Sequence, residues 1–286
     1  PEIVMAAIGQ STERIRIGSA GIMLPHYAPL KVAEQFRVLE AIAPGRIDLG
    51  LGRAPGSDGK TAYALNPNAQ EDAEHFPANV RDLISWVSCL PLVGGHPFSD
   101  LQAHPIGPTT PEIWMLGTSD YGAQVAAHFG IPYCFAHFIT DGRGLKRALE
   151  IYRENYNPSE RYPEPIANVC VWALAADTSE EAERLLASRT HWKFMREKGE
   201  LVAIEDPKTI AKISYSEADI ARLSQYRQSA IFGTSSSVAK QLSDLASTYD
   251  IEEIVILTWT YDQKDRLRSY ELLADAFSLT HQQFLN

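Results

Sequence analysis

Residues 14–58 read RIRIGSAGIMLPHYAPLKVAEQFRVLEAIAPGRIDLGLGRAPGSD. The pattern is strand, loop, helix, turn, strand, loop. Ile15 and Ile17 open a β-rich run that passes through Gly18, Ala20 and Gly21 to Leu24 and Pro25. Glycine inside a strand marks a bulge or a close ligand approach. Pro29 suits the first turn of a helix, and Leu30, Ala33, Phe36 (with Arg37) and Leu39 then recur at helical spacing. Pro44-Gly45 ends that helix. Ile47, Leu49 and Leu51 form the next strand, with Gly52-Arg53 at its C-terminal end. This is one βαβ unit whose polar residues follow its strands, where α/β folds keep their sites.

The alternation continues outward. Six strands are expected, at 15–23, 46–52, 112–116, 133–136, 166–175 and 253–258. Helical patterns lie at 30–42, 73–89, 121–129, 144–156, 179–196, 236–249 and 266–279, and the opening Pro1–Ile8 also reads as a helix. Strands alternating with helices imply a parallel sheet. Two long connections, 54–74 and 91–111, are rich in Gly, Pro, Asn, Asp and His, and 200–227 reads as irregular. Long loops in compact domains are commonly functional.

At 286 residues the chain suffices for one α/β barrel or two small domains. Its hydrophobic fraction of 45% and charged fraction of 22% are those of an ordinary globular protein. A net charge of −10 argues against a nucleic acid or an anionic membrane as partner. No apolar run approaches the ~18 residues that a membrane span needs. Cys89, Cys134 and Cys170 are widely spaced and form no CxxC pair, so they read as reduced, mostly buried thiols of a cytoplasmic protein.

Gly117-Thr118-Ser119-Asp120-Tyr121-Gly122 follows an apolar strand and opens a helix. Free N–H groups at a helix start bind anions, and hydroxyls add donors. The same residues also read as a plain helix cap by Ser119 or Asp120. Arg53, at the end of another strand on the same face, favours the phosphate reading, because arginine binds phosphate bidentately. His26 and His137 each follow a strand end and are the candidate catalytic histidines. His75, His96, His104, His128, His191 and His281 lack such placement and are expected at the surface or at caps. No HExxH, no metal-ligand spacing and no GxSxG elbow occurs, so metalloenzyme and hydrolase readings are poor.

IGSAGIMLPHYAPLKVAEQF (17–36) followed by PGRIDLGLGRAPGSD (44–58) resembles the bacterial luciferase-like flavin monooxygenases, in particular their simpler homo-oligomeric branch. MLGTSDYGAQVAAHFGIPYCFA (115–136), GTSSSVAKQLSDLA (233–246) and EEIVILTWTYDQKDRLRSYELLADAF (252–277) extend the resemblance over nearly the whole chain. It implies an α/β fold, a (β/α)8 TIM barrel. Family members carry a strand–helix–strand unit before this point, so 1–286 is expected to be a single, N-terminally incomplete barrel domain. It also implies a bulge with a non-proline cis peptide at Ala20-Gly21, the ring of FMN packing against Ala20, Gly21 and Ile22. Arg53, Ser119 and Gly122 match the family's phosphate-holding positions, with Thr118 and Tyr121 in the same loop. Thr118 departs from the glutamate of the bacterial luciferase subunit.

The implied activity is oxygenation of a small organic substrate by reduced FMN, the reduced form coming from a separate NAD(P)H-dependent flavin reductase. A scarcity of obvious acids and bases is consistent with this, since the cofactor carries the hard chemistry. Two alternatives stay open. One is hydride transfer with the deazaflavin F420. The other is a flavin-binding protein without turnover. Relatives dimerise through early helices of the barrel, so a homodimer is expected, with Val32 and Leu39 partly on the outer side of their helix. No metal is expected.

Overall fold

The computed structural model describes residues 1–279, so His281 lies outside the described residues. The chain packs as two compact units, one formed by Pro1–Phe135 with Gly144–Ala167, the other by Ala136–Arg143 with the chain from Asn168 onward.

In the first unit, helix α1 (Glu2–Ser11) leads to β1 (Ile17–Met23), α2 (Pro29–Ile42) and β2 (Ile47–Gly52). Then come α3 (Gly59–Leu65), α4 (Ala69–Glu74), α5 (Phe76–Val87), β3 (Glu112–Gly117), α6 (Asp120–Phe129) and β4 (Tyr133–Ala136). β1 pairs with β2, β2 with β3 and β3 with β4, all parallel, as expected for this class of fold. After α7 (His137–Thr140), which belongs to the second unit, α8 (Leu145–Glu154) returns to the first. The Tyr152 hydroxyl on α8 binds the carbonyls of Ile131 and Ile166 at 3.0 and 3.1 Å.

The second unit holds β5 (Ala167–Ala176), α9 (Ser179–Glu197), α10 (Pro207–Ile210), α11 (Glu217–Gln228), β6 (Ile231–Thr234), α12 (Ser235–Tyr249), β7 (Glu253–Leu257) and α13 (Gln263–Ala276). β5 is long enough to be shared. Asn168–Trp172 pairs with β7, and Ala173–Ala176 pairs with β6, both parallel.

Three expectations are corrected here. Strand β6 adds a seventh to the expected six. It is Ile231–Thr234, four residues set directly between α11 and α12. The segment 200–227 is not irregular, because it contains α10 and α11. Ser216 and Asp219 form a reciprocal capping box on α11, and this signal was present in the sequence. The connection 54–74 likewise carries α3, where Asp58 accepts from the N–H groups of Lys60 and Thr61, and α4.

The third correction concerns α2. Val32 and Leu39 do not face outward; both are buried, and it is Val38, 47% exposed, that lies on the outer side. Buried Arg37 on the same helix explains how the helix-free connection 91–111 is held. Its guanidinium donates to the carbonyls of Pro105 and Thr109, each at 2.8 Å. His96, expected at the surface, also pins this connection, 3.1 Å from Asp82 on α5.

β1 carries a bulge. Ser19 pairs with Leu49 and Ile22 with Leu51, so Ala20 and Gly21 together face Gly50. The Ala20-Gly21 peptide is cis. The buried Ser19 hydroxyl replaces the interrupted ladder, accepting from the Gly50 N–H at 3.1 Å and lying 3.2 Å from the Gly50 carbonyl. The small residues of this run permit close strand approach. A Cβ on Gly21 would lie 2.6 Å from Leu116 Cδ1 and 2.8 Å from the Gly50 oxygen, and one on Gly50 would run into the Ser19 carbonyl.

Gly50→Ala should therefore destabilise the protein by about 3 kcal/mol, as overpacking against backbone does. Urea unfolding of the two proteins checks this. A midpoint within error of wild type would show that β1 and β2 can separate without cost.

Candidate functional site

All the residues expected at the cofactor site except His137 belong to the first unit: Ala20, Gly21, Ile22, His26, Arg53, Thr118, Ser119, Tyr121 and Gly122. The parallel ladder β1-β2-β3 brings three of their segments to one end of the strands. The bulge lies near the end of β1, Arg53 directly after β2, and the Thr118-Ser119 turn directly after β3.

The turn leads into α6. Ser119 is the N-cap residue, with an extended backbone, yet its side chain makes no capping hydrogen bond. The plain capping role open to Ser119 is thus not realised, and the first N–H groups of α6 stay available to an external acceptor. Asp120 puts a carboxylate at the same helix end, which would repel an anion. Arg147 on α8 holds it, Nε to Oδ2 at 2.7 Å. Arg53 is exposed and, among the described residues, has no carboxylate partner. Its guanidinium carbon sits 4.4 Å from the centroid of the Tyr121 ring, in the first turn of α6. That stack places a cation beside the open helix start.

Beneath the turn, Gly117 and Gly122 face each other. A Cβ on either would lie 3.5 Å from the other's Cα and 3.7 Å from Tyr133 Cε2, ordinary contact distances, and one on Gly117 would also lie 3.7 Å from the Tyr133 hydroxyl. The Tyr133 hydroxyl is buried there without a partner, and burial pushes its pKa upward, so it stays protonated. A donor set of open helix N–H groups, a free guanidinium and nearby hydroxyls fits a phosphate-bearing ligand.

At the bulge, Ala20 is exposed while the Ile22 side chain is fully buried, so Ile22 can offer a ligand only its backbone. Glycine at 21 is required by strand packing. The volume of its absent side chain is taken by Leu116 and the Gly50 carbonyl.

His26 follows β1 in a short 3-10 turn (Leu24–His26). Its Nε2 lies 3.0 Å from the Pro55 carbonyl, which can only accept, so Nε2 carries the proton. Nδ1 is buried and has no hydrogen-bond partner among the described residues.

His137 opens α7 in the second unit, where it has charged company that the sequence reading missed. Asp141, in a left-handed cap conformation after α7, receives Arg189 Nη2 at 2.7 Å and Lys193 Nζ at 2.6 Å. A Cβ on Gly142 would lie 2.5 Å from His137 Nε2, so glycine lets the ring rest against the chain. Burial pushes the His137 pKa below the ordinary value. The Asp141 carboxylate opposes this, and the Arg189 and Lys193 charges reinforce it. Arg189 and Lys193 stand four apart on α9, the spacing that stacks side chains on one helix face, and that was the available signal.

The family model described as luciferase-like monooxygenase matches residues 1–250. A luciferase-like monooxygenase of Escherichia coli (strain K12) is 35% identical over 275 residues, which span 96% of this chain and 80% of the relative. Among solved structures, apo-MsnO8 superposes with a TM-score of 0.83 at 32% identity, covering 98% of this chain and 83% of its own. The oxygenating constituent of 3,6-diketocamphane monooxygenase from Pseudomonas putida, solved in complex with FMN, superposes with a TM-score of 0.64 at 21% identity over 96% of this chain and 82% of its own, a likeness of fold.

The depressed His137 pKa has a stability consequence. The folded protein holds the ring toward its neutral form, whereas the unfolded chain takes up a proton near the ordinary value of about 6.5. The stability tied to the neutral ring is complete above that value and declines as pH falls from it toward the lower folded pKa. Denaturant unfolding at about pH 7.5 and about pH 5.5 should show wild type losing more stability on acidification than His137→Gln. Equal losses would mean that His137 titrates alike in both states.

Proposed function

The chain belongs to the luciferase-like monooxygenase family, and from that premise we propose that it is an FMN-dependent oxidoreductase that oxygenates a small organic substrate. The observation that carries this reading is the Arg53 guanidinium stacked on Tyr121 beside the uncapped start of α6. In this reading Arg53, the Ser119 hydroxyl, the Thr118 hydroxyl and the first N–H groups of α6, that of Gly122 among them, hold the FMN phosphate. Ala20 and the bulge backbone face the ring. When bound, reduced flavin supplies electrons and its own reactivity toward O2.

The chain's own contribution is binding, orientation and charge placement. Arg53 and the positive end of α6 neutralise the phosphate. Arg147 keeps Asp120 from opposing it. His26, oriented by its Nε2–H bond to the Pro55 carbonyl, leaves Nδ1 as the ring atom open to a ligand's hydrogen bond. The reduced flavin comes from a separate NAD(P)H-dependent reductase, and the protein works as a homodimer in the cytoplasm. Val38, exposed on α2, replaces Val32 and Leu39 as the apolar residue of that helix open to a partner.

Arg53→Ala should weaken FMN binding by about 1.5–3 kcal/mol, roughly ten- to hundred-fold, through loss of a charge-assisted contact. Quenching of flavin fluorescence on titration measures it. Unchanged affinity would remove Arg53 from the phosphate site, and absorbance of the cofactor that copurifies separates FMN from F420.

A further inference from the structure

The second unit contains a buried cation whose hydrogen-bonding capacity is mostly unused. The Arg189 side chain is 2% exposed. Its Nη2 is engaged by Asp141, but Nε and Nη1, carrying three N–H donors between them, have no acceptor among the described residues. The guanidinium carbon lies 4.5 Å from the centroid of the Trp172 ring. Stacking engages the face of the guanidinium and leaves its in-plane N–H edges unsatisfied. The Trp172 Nε1 donor is also buried without a partner, as is the Thr140 hydroxyl next to Asp141. Each unmet buried donor costs on the order of 1–3 kcal/mol, more for a charged group, so a cluster of them calls for an acceptor.

The charge balance says which kind. Arg189 and Lys193 share the single Asp141 carboxylate, which leaves one positive charge over. His137 is held toward its neutral form and adds none. Exposed Arg143 adds further positive charge near Lys193, so the group favours an anion, and a single carboxylate suffices to balance its buried part. The surroundings are apolar and aromatic. Trp172 belongs to the buried cluster of this unit, Phe138 and Trp259 pack against it, and Trp192 stacks edge-on to Trp259 at 5.0 Å. Lys193 and Asp141 are the partly exposed members. Asp141 and Gly142, both at positive φ, form the turn that closes this group on the side of α7.

We propose that Arg189, with Lys193, forms an anion site in this unit that takes the carboxylate of a small organic acid with an apolar body. The carboxylate accepts from the free edges of Arg189, and the apolar part lies among the aromatic side chains. This inference stands independently of the flavin reading, because every residue in it belongs to the second unit.

Benzoate and its uncharged counterpart benzamide are the probes, followed by calorimetry and by the fluorescence of Trp172 and its neighbours in the flavin-free full chain. Benzoate is expected to bind at millimolar concentration or below and benzamide at least about tenfold more weakly. Arg189→Met should lose benzoate binding by about tenfold or more while keeping the far-ultraviolet circular dichroism of wild type. Should that variant not fold, Lys193→Met leaves a balanced Arg189–Asp141 pair and should show the same loss. Arg53→Ala should retain benzoate binding, so failure of this site and failure of the phosphate site are distinguishable. The proposal is overturned if neither probe binds, if both bind alike, if chloride displaces benzoate at equal concentration, or if the folded variants bind benzoate as wild type does.

Discussion

Everything at the candidate cofactor site depends on how closely β1 and β2 approach at Ser19 and Gly50. The Ser19 hydroxyl takes the place of ladder hydrogen bonds there, and glycine at 50 is the residue that lets the Ser19 carbonyl come in. The inserted residue shifts the strand's alternation. Ile17 and Ser19 are buried before the bulge and Ile22 after it, so the inward parity changes from odd to even. With a regular strand, either Ile17 and Ser19 or Ile22 would have to face the opposite side. The bulge reconciles them and leaves Ala20 exposed. The glycines are thus required by strand packing, and a ligand meets the backbone that this packing produces.

The two units use charge in different ways. In the first, exposed charges are arranged around an open helix end, with Asp120 held by Arg147 and Arg53 without a carboxylate partner among the described residues. Such exposed pairs contribute little to stability and more to where a ligand's charge settles. In the second, the charges are buried. Burial opposes ionisation of Asp141, but the hydrogen bonds and charges of Lys193 and Arg189 outweigh it and hold its pKa below the ordinary value. Burial also pushes the Arg189 and Lys193 pKa values down. Breaking such a buried arrangement on one side strands the remaining charge, which makes it a demanding place to keep an excess cation.

Much of the first unit was legible in the sequence because its signals are local. Pro29, the apolar spacing of α2, Pro44-Gly45 and the alternation of Ile47, Leu49 and Leu51 each specify their own conformation. The loop 117–122 was legible for the same reason. The packing role of Gly21 was not, because it arises from Leu116 and Gly50 on other strands. Burial of Val32 and Leu39 escaped notice because it depends on what covers α2 rather than on its own spacing. The change of inward parity between Ser19 and Ile22 was readable as a bulge signal. The Asp141–Arg189–Lys193 group joins a turn to a helix 48 residues away, as the Arg189–Asp141 separation shows, and no short-range pattern reports such a meeting.

The central claim is that the start of α6 and Arg53 recognise a phosphate. FMN and riboflavin share the ring and the ribityl chain and differ in the phosphate alone, so their affinities for the wild-type protein isolate that recognition. Titration of both under one low-salt condition should show FMN bound tighter by on the order of hundred-fold, the scale of a few charge-assisted hydrogen bonds. Equal affinities for FMN and riboflavin would contradict the account.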